Sequence, residues 1–244
     1  MPMNEVMIKH FDIHGLVYVY IESNQPNKEK EIGYHLAEFE VSSAPDRTPD
    51  IIIKDYRETP VFKDAIVIDN IFYYKDDFLN MPGYRLCFNL NHDPITVYCD
   101  RLVLPVNLLI HLALMRKGYS LIHAAGVEFK EKCFLFPAFG GIGKTTLVSG
   151  IVFAGGKLYG DDLIIINSEK ALAYPQDFSV YPYHLNILKI SDSAINRKFK
   201  WTGFLNSITS MLESGIHWKP VKMVYLIFNY FKVPYINIRP RTIF

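Results

Sequence analysis

Cysteine is scarce in this chain. Cys87, Cys99 and Cys133 are the three among 244 residues, and no two stand at a C-x-x-C spacing. That argues against a disulfide framework and against a cysteine-built zinc site, and makes a reducing cytoplasm the expected home. Surplus charge is also lacking: 26 Lys and Arg against 25 Asp and Glu leave a formal net charge of +1. Such a balance gives no electrostatic footprint for nucleic acid or an anionic membrane, so neither is expected as a partner. Long apolar runs are missing as well. The most apolar stretches, Leu102–Met115 and Val221–Phe231, are interrupted by polar residues or too short to span a bilayer. Met1–His10 carries Asn4, Glu5 and Lys9 in place of the apolar centre of a secretory signal. No internal repeat or low-complexity tract is visible.

Core material is plentiful. Half the residues are hydrophobic and 14% are aromatic, enough for one large domain or two small ones. The aromatic residues lack interleaved basic partners, so they read as core and not as a base-stacking platform. The first hundred residues are β-rich, with short β-branched or aromatic runs at Leu16–Ile21, Ile51–Ile53, Ala65–Ile68, Tyr84–Asn89 and Ile95–Cys99. Turn formers such as Ser23-Asn24-Gln25-Pro26 and Met81-Pro82-Gly83 separate them. Glu29–Phe39 fits a helix or a strand equally well.

The texture then changes, which divides the chain into a β-rich region at 1–104 and a second region at 105–244. Val106–Lys117 reads as a buried helix with basic residues at its end and Gly118 beyond as the stop. After Leu121–Val127 come a turn at Lys130-Glu131-Lys132 and a strand at Cys133–Phe136. A helix is expected from Lys144 to about Phe153, halted by Gly155-Gly156, then a short strand at Lys157–Tyr159 and extended chain at Leu163–Ile166. Further on, a helix near Gly203–Leu212 and strands at Met223–Asn229 and Tyr235–Ile238 complete the reading.

Between the strand and the helix lies Ala138-Phe139-Gly140-Gly141-Ile142-Gly143-Lys144-Thr145-Thr146, the pattern of a P-loop in the strand-to-helix setting that the motif requires. Its glycines let successive backbone N–H groups turn inward on phosphate oxygens, and the helix N-terminus adds its positive end. Lys144 is the expected partner of the β- and γ-phosphates, and the Thr145 hydroxyl that of Mg²⁺. Ala138 stands where the usual pattern opens on Gly. One helix later, Asp161 and Asp162 follow a strand end, where carboxylates in a parallel sheet with a crossover connection fall near the phosphates. One can serve the metal and the other the attacking hydroxyl.

From Ile122-His123-Ala124-Ala125-Gly126-Val127 through the loop to Gly160-Asp161-Asp162, the chain resembles the catalytic domain of HPr kinase/phosphorylase and its stand-alone relatives. The resemblance covers roughly residues 105 to 190. It implies a P-loop domain around a mixed sheet, related to phosphoenolpyruvate carboxykinase, that uses ATP and Mg²⁺ to phosphorylate a serine of a peptide or protein. It further implies Asp162 as general base, Asp161 as support for metal or base, and His123 beside the phosphates. Relatives often form oligomers, so a homo-oligomer is an open expectation. A Glu-x-Arg-Gly signature that authentic HPr kinases carry after the Asp pair is absent, and where relatives offer polar residues this chain has Phe178-Ser179-Val180-Tyr181-Pro182-Tyr183-His184-Leu185.

His111, inside the apolar helix, reads as structural. Nothing in the spacing of His184 and Lys189 ties them to the site, and Arg239 and Arg241 read as solvated ends. The expected protein is α/β, with a β-rich N-terminal region and a P-loop domain. Three functions stay open: a Mg-ATP-dependent hydroxyl kinase, a catalytically weak nucleotide-binding module or scaffold, and a plain NTPase.

Overall fold

The computed structural model describes residues 6–25, 28, 31, 35–89, 91–101, 106–139 and 142–176, with backbone alone at Phe153, 178–180 and 236–238. The expectations at Gly203–Leu212 and Met223–Asn229 lie outside the described residues. The chain is α/β, rich in strands and poor in helices, with a mixed sheet. Among the described residues no helix is long and apolar enough to cross a membrane. Contacts divide the chain into two compact units that it visits alternately. The first takes the chain up to His123 and then Leu163–Gln176; the second takes Ala124–Asp162 and the strands near 178 and 238.

The first unit holds a nine-stranded sheet. Its members are β1 (Met7–Ile13), β2 (Val17–Ser23), β3 (Glu40–Val41), β4 (Ile51–Asp55), β5 (Ile66–Ile68), β6 (Phe72–Lys75), β7 (Phe78–Met81), β8 (Leu86–Asn89) and β9 (Ile95–Cys99). They lie side by side in the order β3-β1-β2-β4-β9-β8-β7-β6-β5. The central strands β2, β4 and β9 are parallel, and the other pairs are antiparallel. Central position suits the apolar sequence of β2 and of Ile51-Ile52-Ile53: Val17, Val19, Ile21, Ile51 and Ile53 are buried, and Tyr20 and Ile52 on the other face are half-buried. The strands expected from sequence are present. β1, β3, β6 and β7 were not anticipated: β1 mixes Lys9, His10 and Asp12 with its apolar residues, β3 has two residues, and β6 and β7 are four-residue arms of tight hairpins.

Helix α1 (Val106–Met115) lays Val106, Leu109, Ile110, Ala113 and Leu114 on this sheet, at the spacing of one helical face. It stops two residues before the expected end, with Gly118 at φ 78° closing the turn. Within the span left open at Glu29–Phe39, the described residues Glu31, His35 and Leu36 are helical and Ala37–Phe39 form a 3₁₀ turn. Strand β10 (Ser120–Phe129) begins in this unit, where Ser120–His123 pair with β13 (Leu163–Ile166), which in turn pairs with β14 (Ala171–Leu172). Beyond β14, Tyr174 is wholly buried and donates its hydroxyl to Asn107 Oδ1 at 3.1 Å.

In the second unit the rest of β10 turns through Lys130 and Glu131, both at positive φ, into β11 (Lys132–Pro137). Helix α2 (Lys144–Phe153) follows within the bounds expected from sequence and packs Val148 on Ala125 and Val127 of β10. The chain leaves α2 through Gly155 and Gly156 and returns as β12 (Lys157–Gly160) on the other edge of β10. Strands β15 (Phe178–Val180) and β16 (Ile236–Ile238) form an antiparallel pair, the second inside the strand expected at Tyr235–Ile238.

Candidate functional site

Register explains why the glycine-rich loop and the aspartate pair meet. Leu135 of β11 and Gly160 of β12 both stand opposite Gly126, one on each edge of β10. Since both strands run antiparallel to β10, they run in the same direction and their C-terminal ends leave the sheet on one side. The relation asked of a parallel sheet is thus reached with an antiparallel strand between. The loop 138–143 continues β11, and Asp161-Asp162 continues β12. The Ala124 N–H fixes the second of these by donating to the Asp162 carbonyl at 3.0 Å.

The contact that joins the two segments is short: Thr145 Oγ1 donates to Asp161 Oδ2 at 2.7 Å. The other carboxylate oxygen, Asp161 Oδ1, is buried with no hydrogen-bond partner. Burial therefore pushes the Asp161 carboxyl above its ordinary value, against the Thr145 hydrogen bond; the Asp162 charge adds to the rise and Lys144 opposes it. Asp162 itself is exposed. The pair has split into one carboxylate held in the protein and one facing solvent.

Lys144, the first residue of α2, is only 8% exposed. Its ammonium group donates to the carbonyl oxygens of Ala138 at 2.5 Å and Phe139 at 3.2 Å, so the loop wraps its own cation. Gly143 caps α2 at φ 95°, a left-handed conformation that a side chain resists, and accepts the first helical hydrogen bond from the Leu147 N–H. Phe139 and Ile142 point outward, Phe139 to 86% exposure, and Thr146 is half-buried. Gly140 and Gly141 lie outside the described residues.

His123 belongs to the first unit, opposite Leu163 on β10, with an exposed side chain. His111 is half-buried on α1. His184, Lys189, Arg239 and Arg241 lie outside the described residues. One participant escaped the sequence reading. Ser149, buried one turn along α2, donates its hydroxyl to the Thr145 carbonyl at 2.6 Å and steadies the turn that presents Thr145. A serine four residues after a loop threonine is the signal that could have disclosed it.

Among the described residues no three His, Cys, Asp or Glu side chains gather as a metal cage. Thr145 and Asp161 offer two oxygens, the kind of partial donor set that Mg²⁺ completes with phosphate oxygens and water. No family model and no curated protein matches the chain.

Proposed function

We propose that the second unit is a P-loop nucleotide site and that the protein is a Mg-ATP-dependent kinase acting on a hydroxyl, in the first instance a serine of a peptide or protein. The observation that carries this reading is the coupling of Thr145 to Asp161 with Asp161 Oδ1 left buried and unpartnered. A buried carboxylate oxygen with no donor costs free energy unless a cation or proton meets it, and the Thr145 hydroxyl beside it is the second donor a cation needs. Lys144 fits the same reading, since it can exchange the carbonyls of Ala138 and Phe139 for phosphate oxygens.

Bound Mg-ATP supplies the phosphoryl group and neutralises the charge that spreads over it in transfer. The chain's own residues hold and orient. The Lys144 ammonium and the N-terminus of α2 bind phosphate oxygens, and Thr145 and Asp161 hold the metal. Exposed Asp162 takes the proton of the acceptor hydroxyl as its oxygen bonds to phosphorus and ADP departs. His123 enters only through the family resemblance. The absent Glu-x-Arg-Gly signature favours a second reading, a nucleotide-binding module without transfer.

Incubation with Mg²⁺ and γ-labelled ATP, with and without serine peptides, separates these readings. Transfer to a peptide that falls about 10²-fold or more in Asp162→Asn with nucleotide binding intact supports the kinase. Free phosphate without any acceptor indicates an NTPase; binding without consumption indicates the module. Asp162→Asn is the cleaner variant. Lys144→Ala also removes a buried side chain and strips two loop carbonyls of their donor, so its losses mix binding with loop structure.

A further inference from the structure

Past its first residue, α2 buries one polar side chain among those described, Ser149 at 3% exposure. Its neighbour Val148 already anchors the helix on Ala125 and Val127 of β10. Alanine at 149 would serve helix propensity and burial better, because a hydroxyl taken out of water has to be satisfied. The Ser149 hydroxyl donates to the Thr145 carbonyl at 2.6 Å. Helix geometry directs the Ser149 N–H to the same oxygen, so two donors of one residue converge on it. A serine bonded to the carbonyl four residues back tends to bend the helix at that turn.

The turn concerned is the first of α2, and it carries the side chain that crosses to the aspartate pair. Thr145 Oγ1 donates to Asp161 Oδ2 at 2.7 Å. Having given its proton to the carboxylate, the Thr145 oxygen keeps its lone pairs for a cation. The three side chains act in series. Ser149 holds the Thr145 main chain, Thr145 holds Asp161, and Asp161 Oδ1 lies buried with no hydrogen-bond partner.

We propose that Ser149 is a positioning residue for the metal: it fixes the first turn of α2 so that the Thr145 and Asp161 oxygens meet one cation together. This rests on the nucleotide-site reading and adds to it the residue that sets the Mg²⁺ requirement. Ser149 acts through Thr145 and supplies no ligand itself. Mg²⁺ demands near-octahedral geometry at about 2.0–2.1 Å, so a loosened Thr145 weakens the metal first. Lys144 takes its hold on phosphate through its own side chain, and nucleotide bound without metal does not call on the Ser149 hydroxyl.

Titration calorimetry of the full chain with a non-hydrolysable ATP analogue, without Mg²⁺ and over a series of Mg²⁺ concentrations, tests this. Ser149→Ala is expected to raise the Mg²⁺ concentration that half-maximally enhances binding about tenfold, with metal-free affinity kept within about twofold. Ser149→Cys, close to serine in shape but a weak donor, should behave as Ser149→Ala does, which separates the hydrogen bond from packing. An unchanged Mg²⁺ dependence in Ser149→Ala, parental behaviour of Ser149→Cys, or an equal loss with and without Mg²⁺, the mark of a merely structural residue, would each overturn the inference alone. A parent chain whose binding gains nothing from Mg²⁺ would overturn the nucleotide-site reading and this inference with it.

Discussion

At the scale of single residues, the carboxylates of Asp55 and Asp161 respond to pH in opposite senses. Asp55, at the end of β4, is wholly buried. It accepts from Lys28 Nζ at 2.7 Å, from Ser23 Oγ at 2.5 Å and from the Asn24 N–H at 2.9 Å. Burial alone would raise its pKa, but these hydrogen bonds, with that from Lys28 foremost, hold it below the ordinary value. Its stabilising contribution is therefore present above the unfolded-state pKa and is lost as pH falls through the depressed folded one. Asp161 is raised, so its contribution to the ligand-free fold is full below the unfolded-state pKa and fades as pH rises through the folded one. Tm measured against pH should accordingly show Asp161→Asn gaining on the parent as pH rises through that window. On the proposed function, Mg-ATP should raise the Tm of the parent and leave that of the same variant unchanged. Lys28→Ala, which leaves the buried Asp55 charge only the exposed Arg57 at 3.6 Å, should cost about 3 kcal/mol in denaturant unfolding. No spacing in the sequence marked Lys28, because a lone lysine reads as a solvated one.

At the scale of elements, the turns around α2 were legible because their chemistry is local. Gly143 and Gly155 both adopt positive φ, and the helix between them ran to its expected bounds. Gly156 answers a different demand. A Cβ there would come within 2.9 Å of the Glu128 carbonyl oxygen and 3.0 Å of that of Ile151, both of them backbone. Gly156→Ala should therefore cost about 1–3 kcal/mol, read by denaturant unfolding, with the loss arising where the α2 exit meets β10. Strand pairing was less legible. Sequence named β11 and β12 as strands, yet the antiparallel β10 between them is a non-local choice that neither sequence announces. The approach of Asp161 to Thr145 depends on that choice, so the motif was readable and the geometry that joins its halves was not.

At the scale of the whole molecule, the units are interleaved along the chain. A change of texture near residue 104 is real in the sequence, but α1 beyond it packs Leu109, Ile110 and Leu114 on strands from the first hundred residues. A fragment beginning at residue 105 should thus expose that apolar face and associate without limit in light scattering, whereas the full chain does not. The doubly bonded centre of the second unit sets a contrasting expectation in amide hydrogen exchange. Gly126–Glu128 of β10 is bracketed by ladders on both sides, while among the described residues β5 is paired on one side alone. Deuterium should enter β5 before it reaches the middle of β10, so the labelling order alone would separate the edge of one sheet from the centre of the other.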